Sequence, residues 1–249
     1  MSKTYLISGA GSGIGQAITL ELVKNGHNCI LLGRDELRLN QTLMQLPKDR
    51  CLAITADIRD QESLENASLQ LKDISIHGLI ANAGIGGENQ WGKTDRWGDI
   101  IATNLTGTYN FVNTFLPNLR SAEGDRHILI TSSVLARLGV ANYSAYCASK
   151  AGLLGLMRSW AVQYAQEKIL VNAICPGWVD TELSQTGMQG IADGIGITKE
   201  EFYDIAMQSV PLRRMSRPEE IAGLVAYLLS QAAMTGQVID MNGGAVMSS

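Results

Sequence analysis

"TYLISGAGSGIGQAITLELVKNG", Thr4 to Gly26, begins as a short β-rich apolar run and ends as a helical pattern. Ile14, Ile18 and Leu22 recur four apart, as on one face of a helix. The join between the two patterns is almost entirely glycine and serine. Glycine lets a backbone turn sharply and approach a ligand with no Cβ in the way. The helix N-terminus that follows offers unpaired N–H groups and a positive dipole end to a pyrophosphate. The spacing G-x-G-x-x-G is not met: Gly9-x-Gly11 lacks a glycine at Ile14, and Gly11-x-Gly13 lacks one at Gln16. G-x-x-x-G-x-G fits, through Gly9, Gly13 and Gly15, with Ser12 and Ile14 between them. A tight turn with no ligand is the alternative.

Outward from this stretch, β-rich runs alternate with helical patterns to the end of the chain. "TYLIS" (4–8), "NCILL" (28–32), "CLAIT" (51–55), "HGLIAN" (77–82), "HILITS" (127–132), "LVNAIC" (170–175) and "GQVIDM" (236–241) read as strands. Buried continuous strands alternating with helices predict a parallel, doubly wound α/β sheet covered on both faces. No internal repeat or linker interrupts the 249 residues, which are expected to form a single domain, 1–249. The segment 182–210, with Gly187, Gly190, Gly194 and Gly196 among apolar side chains, reads as irregular and functional rather than idle.

Net charge −4 with no basic run argues against nucleic acid as a partner. No run approaches a membrane span, and the opening apolar run is too short for a signal peptide. Cys29, Cys51, Cys147 and Cys175 lack C-x-x-C spacing, so reduced core thiols and a cytoplasmic protein without a metal site are expected.

"YCASK", Tyr146 to Lys150, sets a phenol and an ammonium four apart among small residues, on one face if the segment is helical. With the glycine turn, Asn82-Ala83-Gly84 after the fourth strand, Asn104 in "TNLTG", Ser133 thirteen positions before Tyr146, and Pro176-Gly177 followed by Thr181, the chain resembles the short-chain dehydrogenase/reductase family from end to end. The resemblance implies a Rossmann-type fold with a seven-stranded parallel sheet. It implies that Tyr146 exchanges a proton with a ketone or alcohol oxygen, that Lys150 bonds the nicotinamide ribose, and that Ser133 steadies the substrate oxygen. Asn104 then holds a water linking Lys150 to solvent. Moving a phenol from about 10 by about three units takes about 4 kcal/mol. A unit charge at about 4 Å and an effective dielectric of about 20 supplies about that, which makes Lys150 the expected tuner. Ala148, Ala151, Gly152 and Gly155 keep one face of the same helix thin; in the family this helix packs on its twin, implying a homotetramer or homodimer.

Rossmann-type sites choose their dinucleotide about twenty residues past the glycine turn. The acidic position of the family holds Gly33 here, followed by Arg34, and a guanidinium suits a 2′-phosphate. NADP(H) is therefore expected over NAD(H), with Asp35 either a rival selector or the cap of the helix starting "ELRLN". Asp57 and Ile58 match the family's adenine position, and Pro176, Gly177, Val179 and Thr181 its nicotinamide side. Substrate is expected against Ser133, Leu135, Asn142, Tyr146, Gly177 and Leu183, under 182–210. There Leu183, Met188, Ile191, Ile195 and Ile197 suit either an apolar lid or the packing of a small subdomain.

Much of the chain is similar to β-ketoacyl carrier-protein reductases and polyketide ketoreductases, and "NAICPGWVDTEL" to 3-hydroxybutyrate dehydrogenases. Carrier-protein reductases commonly place basic residues where Gly124 and Glu167 stand here. A broad ketone or secondary-alcohol oxidoreductase is thus expected first, and a 3-oxoacyl thioester reductase second. A dinucleotide sensor or scaffold without turnover would be expected to break one of Asn104, Ser133, Tyr146 or Lys150, and all four are present.

Overall fold

The computed structural model describes residues 2–247. Its strands are β1 (Thr4–Ser8), β2 (Asn28–Gly33), β3 (Cys51–Thr55), β4 (Gly78–Ala81), β5 (Arg126–Thr131), β6 (Ile169–Pro176) and β7 (Val238–Met241). Its helices are α1 (Gly13–Lys24), α2 (Glu36–Leu43), α3 (Gln61–Gln70), α4 (Trp97–Ile101), α5 (Gly107–Arg120), α6 (Ser144–Tyr164), α7 (Glu182–Ile195), α8 (Lys199–Gln208) and α9 (Pro218–Leu228). All seven strands pair in parallel, in the order β3-β2-β1-β4-β5-β6-β7. The seven expected strands are the seven observed, with ends displaced by one or two residues.

Alternation along the strands divides the core. Leu6, Ile30, Leu79 and Ile128 face Phe111, Phe115, Leu153 and Met157 of α5 and α6. Tyr5, Ile7, Leu31 and Ile80 face Ile18, Leu22, Ile221 and Val225 of α1 and α9. Both faces of the sheet are thereby closed, and the ends of the strands are left to carry the site.

The segment 182–210 is not irregular. It forms α7 and α8, begun by Thr181, whose hydroxyl accepts from the Ser184 N–H, and by Thr198, which makes a reciprocal capping box with Glu201. Gly196, at φ 74°, ends α7 in the left-handed conformation. Gly187, Gly190 and Gly194 sit at helical positions with open space around them, so their cost of about 1 kcal/mol each is outweighed by caps and packing. Met188 is fully buried against Met207, Val210 and Met215, as a packing residue rather than a lid. Ile195 is exposed.

At the amino ends of the strands, away from the site, His127 of β5 is 3% exposed, and burial pushes its imidazole down to about 4. The native state therefore holds it neutral, while the unfolded chain protonates near 6.5. Its contribution is fully present above about pH 6.5 and is lost as pH falls toward 4, amounting to about 3 kcal/mol over that window. Urea midpoints measured from pH 7 to 4.5 should fall less steeply for His127→Leu than for the unaltered chain. Parallel profiles would show that His127 does not set the dependence.

Candidate active site

On either side of β1 the chain crosses over in opposite directions, to β2 and to β4, which opens a crevice at the carboxyl ends of the strands. The glycine turn lies in this crevice. Gly9 has φ 69°, and a methyl there would meet the Ala83 Cα at 2.9 Å. The Ser8 hydroxyl accepts from the N–H groups of Asn82 and Ala83 at 3.0 and 3.1 Å. Asn82 Nδ2 donates back to the Ser8 and Gly9 carbonyls at 3.3 and 3.4 Å. Strands β1 and β4 are thus tied together where they part. No side chain caps α1 at Ser12, so its first N–H groups, near Gly13, Ile14 and Gly15, are left to the crevice.

A π-helical turn, Ala102–Thr106, joins α4 to α5 and turns Asn104 inward, fully buried. Its Oδ1 accepts from the Ile85 N–H at 2.8 Å, and Nδ2 donates to the Ile85 carbonyl at 3.0 Å and to Ser149 Oγ at 3.1 Å. Ser149 Oγ in turn donates to the Tyr146 carbonyl at 2.8 Å. The Asn104 side chain is therefore tied to the loop after β4 and to α6.

One turn apart on α6, Tyr146 and Lys150 do meet. Lys150 Nζ lies 5.6 Å from the Tyr146 ring centroid and donates to the Thr131 carbonyl at 2.9 Å. Ser132 Oγ donates to the Lys150 carbonyl at 2.8 Å, fixing the helix to β5. Burial holds the Tyr146 phenol above its ordinary value of 10.0, opposed by the Ser133 hydroxyl beside it. Burial also brings Lys150 down to about 8. Lys150, expected as the main tuner of Tyr146 with the positive nicotinamide adding to it, is not among the groups that shift the phenol here. The ammonium is turned to a backbone carbonyl, and desolvation of the phenol outweighs it.

The crevice has a volume of about 560 Å³ and is lined by the glycine turn, Arg34, Asp57, Ile58, Asn82, Ala83 and Gly84 at one end. Ser133, Tyr146, Lys150, Pro176, Gly177, Val179, Thr181 and Leu183 line the other. Close approaches at Gly9 and at Gly15, where a Cβ would overlap the Gly9 carbonyl, leave a backbone-walled cradle of the kind a dinucleotide phosphate needs.

Residues 9–246 match the family model adh_short_C2, described as enoyl-(acyl carrier protein) reductase. The chain is 34% identical to a putative ketoacyl reductase of the monensin polyketide synthase of Streptomyces virginiae, over 98% of this chain and 97% of the other. It superposes with a TM-score of 0.91 on a single-residue variant of actinorhodin polyketide ketoreductase with NADPH, at 30% identity and 98% and 97% coverage. With a 3-ketoacyl-(acyl-carrier-protein) reductase of Brucella melitensis complexed with NADH the values are 0.86, 26%, and 98% of both chains. The chain is a short-chain dehydrogenase/reductase. It is an NAD(P)-dependent oxidoreductase that acts between ketone and CH–OH groups, and it binds a nicotinamide cofactor.

Two expected substrate residues of this dehydrogenase/reductase lie off the crevice. Leu135 donates its N–H to Ser133 Oγ at 3.1 Å, from the 3-10 turn Val134–Ala136. Asn142, at φ 63°, turns its carbonyl to the loop after β4 and lines a separate hollow with Trp91 and Trp97. Both sit in turns whose direction no periodicity encodes. Other contributors carried no signal: Ser132 and Ser149 are single hydroxyls, and Arg38 reaches Glu182 at 2.6 and 3.1 Å across 144 positions. That pair links α2 to the first turn of α7 at the mouth of the crevice. Among the described residues no helix is long and apolar enough to cross a membrane, and no cluster of metal-binding side chains occurs.

Proposed function

We propose that this enzyme interconverts a ketone and a secondary alcohol with NADP(H) in preference to NAD(H), using Tyr146 as its acid and base. The observation that carries the cofactor choice is at the end of β2. Arg34 is exposed at the crevice and makes no hydrogen bond or ion pair among the described residues. Asp35, the rival selector, accepts from the Arg38 N–H at 3.1 Å as the cap of α2 and pairs with Arg38 Nε at 3.3 Å. A free guanidinium and an engaged carboxylate favour a 2′-phosphate.

On this reading Gly9, Ser12, Gly13, Ile14 and Gly15 hold the pyrophosphate, and Arg34 the 2′-phosphate. Ile58 and Asp57 hold the adenine, although Arg59 already engages the Asp57 carboxylate at 2.7 Å. Asn82, Ala83, Gly84 and Lys150 take the central sugar, and Pro176, Gly177, Val179 and Thr181 the nicotinamide. When bound, the reduced nicotinamide supplies the hydride. Tyr146 Oη gives its proton to the ketone oxygen, and Ser133 Oγ steadies that oxygen as charge develops. Lys150, protonated in large part at neutral pH, favours the phenolate that remains. Leu183 and Gly86 flank Tyr146 on the substrate side. The neighbouring Ser133 and Tyr146 hydroxyls suit a carbonyl oxygen better than the carbon–carbon double bond in the family model's description.

A second reading, a 3-oxoacyl thioester reductase, is favoured by the names of the relatives. Against carrier docking, neither Gly124 nor Glu167 offers a basic side chain, and Glu167 holds Arg120 at 2.6 and 2.8 Å. The four free thiols support a reducing, cytoplasmic setting. Exposed Ala148, Ala151 and Gly155 on α6 support assembly as a homotetramer.

One panel tests this. Ketones, secondary alcohols and 3-oxoacyl groups on coenzyme A and on carrier protein are offered with each dinucleotide, to protein whose mass is read by sedimentation. A four-chain species is expected, with higher kcat/KM for NADPH than NADH and no gain from the carrier. Equal use of the two dinucleotides would return the choice to Asp35, and a large carrier advantage would promote the second reading.

A further inference from the structure

We infer that Asn89 is a positioning residue that caps the Tyr146 helix from the loop on the substrate side. The inference rests on the reading of Tyr146 given above. Helix α6 starts at Ser144, and the residue at its own cap position, Tyr143, makes no capping hydrogen bond. The cap comes from 56 positions earlier. Asn89 Oδ1 accepts from the Ala145 N–H at 2.8 Å and from Ser144 Oγ at 3.2 Å. Asn89 is 9% exposed, and its other polar groups are also engaged. Nδ2 donates to Asp95 Oδ1 at 3.3 Å, and its N–H donates to the Asn142 carbonyl at 2.7 Å.

Tyr146 is the third residue of α6, inside the turn this cap holds. The first N–H groups of a helix have no intrahelical partner, so an uncapped first turn frays. The loop carrying Asn89 is fixed at its other end by Ile85 to Asn104, and at Gly86 it passes beside the Tyr146 ring and Leu183. One loop therefore both lines the substrate side and sets the start of the helix bearing the proton donor. A shift of the loop moves Tyr146 with it, and misplacement by about 1 Å can cost about a hundredfold in rate.

The test compares Asn89→Ala, Asn89→Asp and Asp95→Ala. Asn89→Ala should lower kcat about 10- to 100-fold with the dinucleotide Kd unchanged. Asn89→Asp, made in the Asp95→Ala background so that no second carboxylate faces it, keeps the acceptor at a helix N-terminus, where a carboxylate is favoured, and should restore most of kcat. Asp95→Ala removes the loop-side partner and the acceptor of the Trp97 N–H, leaves the Asn89 bond to the Ala145 N–H in place, and should stay near normal. Hydrogen exchange at the Ala145 amide, which needs no turnover, should quicken about tenfold or more in Asn89→Ala, with the second half of α6 unchanged. If the enzyme proves inactive on every substrate, this exchange result still decides the inference. Should Asn89→Ala not fold, Asn89→Asp against Asp95→Ala decides it: a slow Asp variant beside a normal Ala variant overturns the capping role. Unchanged kcat and unchanged Ala145 exchange in a folded Asn89→Ala protein also overturn it.

Discussion

Phenylalanine in place of Tyr146 should give a folded protein that binds dinucleotide normally and turns over about 10²–10⁴-fold more slowly. The ring and its packing survive; only the hydroxyl that gives up the proton is gone. The neighbours argue that folding is safe. The hydrogen bonds that hold α6 here run from the Ala145 N–H to Asn89, from Asn104 to the Ser149 hydroxyl and from Ser132 to the Lys150 carbonyl, and none of these uses the phenol. Lys150→Met should differ in kind. Lys150 is buried, donates to the Thr131 carbonyl, and on the proposed reading holds the cofactor sugar, so rate and dinucleotide affinity should fall together. Steady-state rates beside fluorescence titrations of NADPH separate the two patterns. Near-normal turnover in folded Tyr146→Phe would remove Tyr146 from the chemistry and sink the mechanism.

Gly15→Ala should abolish measurable dinucleotide binding and destabilise the fold by at least about 1–3 kcal/mol. A Cβ at Gly15 overlaps the Gly9 carbonyl oxygen and comes within 2.7 Å of Asn82 Nδ2. Neither can retreat cheaply, because the Gly9 N–H donates to the Leu32 carbonyl at 2.8 Å and Asn82 clamps the Ser8 and Gly9 carbonyls. Helix α1 would have to lift off the turn, carrying away the N–H groups aimed at the pyrophosphate. Gly194→Ala is the control: it sits inside α7 with nothing near its missing Cβ, and should be neutral or stabilising by up to about 1 kcal/mol. Thermal melts and NADPH titrations of both variants make the comparison. Normal binding by Gly15→Ala would mean that the turn is not the phosphate cradle.

Much of this protein was legible one residue at a time. Strand and helix periodicity is a local property, so "TYLIS" through "GQVIDM" gave seven strands, and "SGAGSGIG" gave the turn, because only glycine permits the backbone path between β1 and α1. The fixed offset of four on α6 likewise brought Tyr146 and Lys150 together from sequence alone, since helical geometry allows nothing else. Asp35 as the α2 cap was readable for the same local reason. In 182–210 the local signal misled, because four glycines outweighed the apolar spacing on paper while caps and the Met188 cluster outweighed them in the fold.

What only the tertiary structure decided depends on distance and burial. Desolvation raised Tyr146 and lowered Lys150, and sequence carries no measure of how much water a fold excludes. Asn142 left the crevice because its turn is set by a contact with Asn89, 53 positions earlier, and Leu135 because its N–H turns back to the Ser133 hydroxyl. The Asn104 clamp on Ile85, the Arg38–Glu182 pair and the Asn89 cap on α6 join residues 19, 144 and 56 positions apart. No spacing rule reaches that far; such partners meet only once the sheet has brought their loops to the same end.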